Sequence, residues 1–331
     1  MQVTSYYLSL IDWSNTDDPI RKMAIPSLDE LNLEGSYDTS GEVENTKLQG
    51  LQHKYSETAL ILATNRCATY CRHCFRKRLV GRRESSEIIS DFKDAVQYVK
   101  HHNEINNVLI SGGDPLVLPN EIIEAFLSAL SDVPHLEFIR FGSRAPVTFP
   151  SRFRDNELLE IMEEYSSPER RLFVVTQFNH PKEITKQSIE AVANLIKIGV
   201  GINNQTVLLR GVNDNSETLA DLQNRLVGIG VNPYYVFQCR PVKRVKKQFQ
   251  VPICEGVKII EKAKARCNGL SKRFRYIMSH STGKIEIIGI ADNQIYFKYH
   301  QAKNKEDTSR IFKRKIDAKA GWLDDFKREL K

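Results

Sequence analysis

Six apolar, β-branched runs alternate with six stretches whose apolar residues recur at three and four positions, and this alternation confines the chain to repeated βα units around a parallel sheet. The expected strands cover residues 58–64, 107–111, 136–141, 171–176, 201–209 and 232–237. The expected helices cover 86–102, 120–130, 155–165, 184–198, 217–227 and 254–267. A chain of 331 residues with 41% hydrophobic content is large enough to bury one such α/β core. In parallel barrels the working loops follow the C-terminal strand ends, so chemistry is expected there.

The loop after the first strand carries it. Cys67-Ala68-Thr69-Tyr70-Cys71-Arg72-His73-Cys74 sets three thiols on one short segment. Thiolates are the soft ligands that iron-sulfur clusters require, and three of them hold three corners of a 4Fe-4S cube while one iron stays open. A zinc site needs a fourth Cys or His at compatible spacing, and His73 stands between two thiolates, where it closes a tetrahedron poorly. A disulfide reading fails because three local cysteines cannot pair off. Cys239, Cys254 and Cys267 are spaced too widely for a second cluster motif and read as strand and helix thiols.

Further turns fall at strand ends. Ser111-Gly112-Gly113-Asp114 follows the second strand, where glycines let backbone approach a ligand closely, and Gly142-Ser143-Arg144-Ala145-Pro146-Val147 follows the third. With Gly50-Leu51-Gln52-His53-Lys54-Tyr55, Phe178-Asn179-His180-Pro181, residues 204–214 and Pro233-Tyr234-Tyr235, these form an ordered series over about residues 50–289. In that series the chain resembles the radical S-adenosylmethionine (SAM) aminomutases of the lysine 2,3-aminomutase family.

The resemblance implies an α/β fold, a partial (β/α)6 barrel of the radical SAM type at 51–270 with a C-terminal β-hairpin extension at 271–300. It implies a 4Fe-4S cluster on Cys67, Cys71 and Cys74 that cleaves SAM to a 5′-deoxyadenosyl radical. Gly112, Gly113, Asp114, Ser143, Arg144 and Gln205 would bind SAM, with His73 beside the adenine. It further implies pyridoxal 5′-phosphate (PLP), which supplies the delocalisation that amino migration needs, on Lys284 as Schiff-base lysine with Lys54 and Tyr55 nearby. Family members tend to carry arginines near 54 and 58 and a glycine run before the lysine; here Lys54, Thr58 and a lone Gly283 stand in those places. Arg76 matches the arginine for the substrate α-carboxylate. The two aspartates that meet the distal ammonium of lysine are replaced by Arg240 and by Ser279, His280 and Ser281. Replacing attraction by repulsion at about 4 Å changes the interaction by several kcal/mol at an effective dielectric near 20. An acidic or neutral α-amino acid is therefore expected, glutamate first, with Arg240 on its distal carboxylate.

The rest of the chain narrows the setting. Residues 1–50 show no recognisable chemistry, and the charged tail 301–331 is expected to be helical, docking through Ile311, Ile316, Trp322, Leu323 and Phe326. Arg72, Lys77, Arg78, Arg82 and Arg83 read as solvated or cluster-side cations. Lys+Arg 48 against Asp+Glu 41 gives a net charge of +7, and the basic run 240–247 lacks the aromatic interleaving of a stacking platform, so it reads as a solvated loop. Alternatives from other classes are an aminomutase acting on a protein-bound lysine and an RNA-directed radical SAM enzyme or RNA-binding protein. No leader pattern or 18-residue apolar run is seen, which points to a reducing cytoplasm and no membrane partner. An electron donor such as flavodoxin or ferredoxin is expected, and the oligomeric state is left open.

Overall fold

The computed structural model describes residues 1–81 and 86–326. Arg82 and Arg83 lie outside the described residues, as does the tail from residue 327 onward. Within them a mixed sheet of twelve strands runs in chain order: β1 (Thr46–Leu48), β2 (Leu51–Tyr55), β3 (Thr58–Thr64), β4 (Asn107–Gly112), β5 (Phe138–Gly142), β6 (Arg171–Thr176), β7 (Gly201–Leu208), β8 (Asn232–Gln238), β9 (Arg275–His280), β10 (Gly283–Ala291), β11 (Gln294–Ala302) and β12 (Ile311–Lys315). From β3 to β9 each neighbour is parallel. Antiparallel strands flank this run on both sides.

Helices α1 (Phe92–Lys100), α2 (Asn120–Ser131), α3 (Asn156–Glu164), α4 (Lys186–Lys197), α5 (Ser216–Gly228) and α6 (Ile253–Arg266) follow β3 to β8 in turn. Side-chain caps fix several starts: Asp155 accepts from Leu158 N, Thr185 from Ser188 N and Asn215 from Thr218 N. α1 begins six residues later than its periodicity suggests. Asp91 caps it by accepting from Lys93 N, and the Ile89 N–H is already donated to the Leu62 carbonyl at 3.0 Å, which ties the preceding stretch to β3.

The pleat divides the parallel strands into two faces. Ile61, Val108, Ile110, Ile139, Phe141, Leu172 and Val174 are buried with Val99, Leu127, Leu158, Met162 and Leu195 of the helices in one apolar cluster. Leu60, Leu109, Arg140, Ser111, Gly142 and Val175 alternate with them and face a cavity. A second cluster joins α6 to β9, β10 and β11 and takes in Trp322 and Phe326.

The tail departs from the helical expectation. Ile311–Lys315 is a strand, β12, pairing with β11, and Phe312 stacks on Phe297 with ring centroids 5.3 Å apart. The open backbone edge of β11 offers hydrogen bonds that an isolated amphipathic helix would forgo, and the charged edge residues of β12 suit a sheet margin. Trp322 and Phe326 are buried, Ile316 and Leu323 are partly so, and Ile311 is exposed. Among the described residues no helix is long and apolar enough to cross a membrane.

Candidate active site

A cavity of about 490 Å³ opens inside the parallel run, and every candidate site residue named from the sequence lines it. Its two ends differ in chemistry. Loops after β3, β4 and β5 close the end at the C-terminal strand ends, whereas Thr58, Asn107, Phe138, Arg140 and Lys284 lie toward the other.

Cys67, Cys71 and Cys74, none in a disulfide, line the first end. The loop that carries them is clamped by the glycine turn: Gly113 N donates to Thr64 O at 2.5 Å and Asp114 N to Arg66 O at 2.8 Å. A Cβ on Gly112 would stand 2.3 Å from Thr64 O, and one on Gly113 would stand 2.2 Å from Arg66 O. Glycine is required there by the neighbouring cysteine loop, a reason additional to the ligand approach read from sequence. Burial raises the thiol pKa of Cys67, and raises that of Cys74 to about 11, with neighbouring Cys71 adding to both. Thiols so placed stay protonated until a metal supplies positive charge.

Asp114 is held inside the fold. Its carboxylate accepts from Ser143 Oγ at 2.6 Å, Arg144 N at 2.8 Å and Leu116 N at 3.1 Å, while burial pushes its pKa up. Arg144 reaches Cys71 Sγ with Nη1 at 2.7 Å and donates from Nε to Gln177 O at 3.0 Å; its Nη2 donates to Tyr7 Oη at 3.0 Å and pairs with Glu183. The His73 ring is buried, and burial followed by the nearby Arg144 charge lowers its pKa to about 3, so it is neutral. Its Nδ1 has no hydrogen-bond partner among the described residues. Gln205 lines the cavity without a protein hydrogen bond to its side chain among the described residues.

Cations line much of the remaining wall. The Lys284 Nζ lies 5.4 Å from the Tyr55 ring centroid and 5.6 Å from that of Tyr235, and donates to Gln301 Oε1 at 3.2 Å. Burial, then Arg140, Lys54 and Arg240, lowers its pKa to about 7. Lys54 is lowered to about 7 as well, burial first and Arg240 next, and it donates to His280 O at 2.6 Å and Ser40 O at 3.1 Å. Arg240 stacks 4.2 Å from the Phe75 ring centroid and donates to Ser40 Oγ at 2.8 Å and Ser279 Oγ at 3.0 Å. Arg76 donates from Nε to Glu42 at 3.2 Å and from Nη1 to Ser111 Oγ at 3.1 Å.

Several of these partners escaped sequence reading. Residues 1–50 are not inert: Ser40, Glu42 and Asn45 line the cavity, and Tyr7 and Glu30 brace Arg144 and Arg72. The cations near the cysteines are not solvated either. Arg72 and Lys77 pair with Glu30, and Arg78 pairs with Glu42 and Glu87. The basic run 240–247 likewise packs against the N-terminal segment, Lys246 pairing with Glu34 at 2.5 Å and Lys247 with Asp29 at 3.6 Å. Arg140 was missed too, although an arginine inside the apolar strand Phe138–Gly142 was a visible signal.

The donor set fits the cofactors implied by the resemblance. Three thiols from one short loop line the same cavity, and thiolates are the donor set an iron-sulfur cluster takes. Lys284, with its depressed pKa, lies among unpaired cations, which suits a phosphorylated aldehyde. Comparison with known proteins agrees. The Radical SAM superfamily matches residues 61–222. A protein of Aquifex aeolicus (strain VF5), provisionally named an L-lysine 2,3-aminomutase, is 43% identical over 327 residues, covering 98% of this chain and 87% of its own. The L-lysine 2,3-aminomutase of Clostridium subterminale is 39% identical over 271 residues, 81% of this chain and 64% of that enzyme. The glutamate 2,3-aminomutase of Clostridioides difficile (strain 630) is 36% identical over 270 residues, 81% of this chain and 63% of that enzyme. At that identity and coverage, the chain belongs to the lysine 2,3-aminomutase family of radical SAM enzymes, isomerases whose cofactor set is a 4Fe-4S cluster, SAM and PLP.

Proposed function

We propose that this protein is a PLP-dependent 2,3-aminomutase of an α-amino acid with an acidic or neutral side chain, glutamate first, built on a partial barrel. The observation that carries the reading is one cavity holding three cysteines at one end and a buried lysine at the other, with Lys54, Arg140 and Arg240 in its wall. None of the three forms an ion pair among the described residues; Arg240 and Lys54 feel the Glu42 charge only at longer range, and Arg140 has no carboxylate acting on it. Burying charges without counter-ions costs several kcal/mol each, so such a wall is suited to anionic ligands.

Residue roles follow from position. Cys67, Cys71 and Cys74 would hold the cluster, and the loops carrying Gly112, Ser143 and Arg144, together with Gln205, would seat SAM. The bound cluster and SAM supply the hydrogen-abstracting radical, and PLP on Lys284 supplies electron delocalisation for the migrating nitrogen. Arg76, held in place by Glu42 and Ser111, presents its remaining Nη2 to the substrate α-carboxylate, a charge-assisted contact worth about 1.5–3 kcal/mol. Arg240, fixed by two serine hydroxyls and stacked on Phe75, would meet the distal carboxylate. A distal ammonium would meet that guanidinium instead of a carboxylate, and even a quarter of an 8 kcal/mol span, roughly, exceeds a decade in affinity.

The test is anaerobic reconstitution with iron, sulfide, SAM and PLP, followed by mass analysis of β-amino products from glutamate, aspartate, lysine, ornithine and arginine. Glutamate is expected to turn over best. Efficient turnover of lysine would overturn the substrate assignment while leaving the cofactors intact. An RNA-directed role finds less support, because part of the basic run 240–247 is engaged by Asp29 and Glu34.

A further inference from the structure

Among the described residues, Arg140 is the one cavity-lining arginine that the functional reading above leaves without a task. It projects from β5 on the same face as Phe138 and Gly142, two residues, or about 7 Å, nearer the strand start than Gly142. Leu109 of β4 and Phe173 of β6 flank it in register. Its guanidinium is deliberately oriented. Asn107 Nδ2 donates to Glu57 O at 2.9 Å, which turns Asn107 Oδ1 toward the cavity, where it accepts from Arg140 Nη2 and from Thr58 Oγ1 at 3.2 Å.

The remaining donors are unmet. Arg140 Nε is buried and has no hydrogen-bond partner, and no carboxylate pairs with the side chain among the described residues. The groups of potential opposite charge around it are the phenols of Tyr234 and Tyr235, and burial lowers its pKa. Arg140 also lies close enough to Lys284 to be the largest charge acting on that amine. A guanidinium aimed by an asparagine, lacking a counter-ion and lining the same cavity as Lys284 suits the anionic group of whatever Lys284 binds.

We propose that Arg140, oriented by Asn107, anchors the phosphate of the Lys284-bound cofactor. This rests on the reading that Lys284 holds PLP. Thr58 shares Asn107 Oδ1 with Arg140 but offers only a hydroxyl, so the planar two-donor fork beside Asn107 comes from β5. The rival occupant of the same chemistry is the substrate's distal carboxylate, and the experiment separates the two.

Binding of PLP and of pyridoxal, which lacks the phosphate, is measured by the Schiff-base absorbance of the anaerobically reconstituted full-length protein. Wild type, Arg140→Gln and Arg140→Lys are compared, with SAM binding and far-ultraviolet dichroism as fold controls. Arg140→Gln is expected to weaken PLP about 10- to 100-fold, the span of one charge-assisted hydrogen bond, and to leave pyridoxal within about twofold. Arg140→Lys should recover part of the loss. An unchanged PLP-to-pyridoxal ratio in Arg140→Gln would overturn the proposal, as would equal loss of both ligands or a rise in KM for glutamate alone. If wild type traps no PLP on Lys284, the cofactor reading falls and this proposal with it. A wild type that binds PLP beside an Arg140→Gln variant that keeps the ratio sinks only the role of Arg140.

Discussion

Lys284 and Glu42 show how single side chains acquire their chemistry from burial. The Lys284 amine sits between Tyr55 and Tyr235 among like charges, and burial takes its pKa from 10.5 to about 7. Its neutral, nucleophilic fraction therefore grows as pH rises to about 7 and then saturates. The rate of PLP capture should increase about tenfold per pH unit below that value and level off above it, as followed by stopped-flow absorbance. A rate still climbing toward pH 10 would mean the lysine is exposed. Between about 7 and 10.5 the folded chain binds fewer protons at this site than the unfolded one, so this group makes stability rise with pH across that window. Lys284→Ala should abolish borohydride-trapped PLP while leaving iron content unchanged.

Glu42 has the opposite sign. Burial opposes its ionisation, yet Arg76, Arg78 and Arg240 together hold its carboxyl below the usual range. It thus stabilises the fold above the ordinary carboxylate pKa, and this stabilisation is lost as pH falls through the depressed value. Glu42→Gln leaves the buried Arg76 without its counter-ion, while Arg78 keeps Glu87, and should cost about 3 kcal/mol, read as a lower denaturation midpoint in urea. The same variant should raise KM for the amino acid, because Arg76 loses the group that aims it.

Two turns illustrate what the elements require of the sequence. Gly113 lets the loop after β4 clamp the cysteine loop, and Gly113→Ala would drive a methyl into the Arg66 carbonyl. Iron per chain after reconstitution should drop severalfold in that variant, while the apo fold survives with a loss of about 1–3 kcal/mol. At the other end, Gly283 opens β10 with φ 156° and would place a Cβ 2.3 Å from Gln301 O. Gly283→Ala must then shift β10 against β11, and with it Lys284, which pairs with Gln301 in register. Weaker PLP binding with SAM binding intact is the expected outcome, measured by titration of each ligand. Equal losses of both would show a global rather than a local disturbance. The tail teaches the converse lesson: its apolar spacing fits a helix, but the unpaired edge of β11 recruits Ile311–Lys315 as a strand.

Across the whole molecule, what was legible in the sequence was local. The three cysteines, the glycine turns and the period of the helices all lie within short windows, and strands such as Thr58–Thr64 and Arg171–Thr176 match their expected bounds. What was illegible are pairings made across long separations by single residues without pattern. Glu42 meets Arg76 across 34 positions, Tyr7 meets Arg144 across 137, and Ser40 meets Arg240 across 200. Only the fold that gathers these segments around one cavity brings them together, and it also turns part of the basic run 240–247 into an intramolecular ion-paired surface.

The proposed function asks one cavity to join radical generation to a lysine-bound cofactor and an acidic substrate. The amino group moves onto the β carbon, so a hydrogen must first leave that carbon. Glutamate deuterated at the β carbon, given to anaerobically reconstituted protein with SAM, PLP and dithionite, tests this most directly by mass spectrometry of 5′-deoxyadenosine and of the amino acid. Deuterium appearing in 5′-deoxyadenosine together with formation of β-glutamate is the predicted result. SAM cleavage without deuterium in the nucleoside, or label transfer from deuterated lysine in place of glutamate, would contradict it.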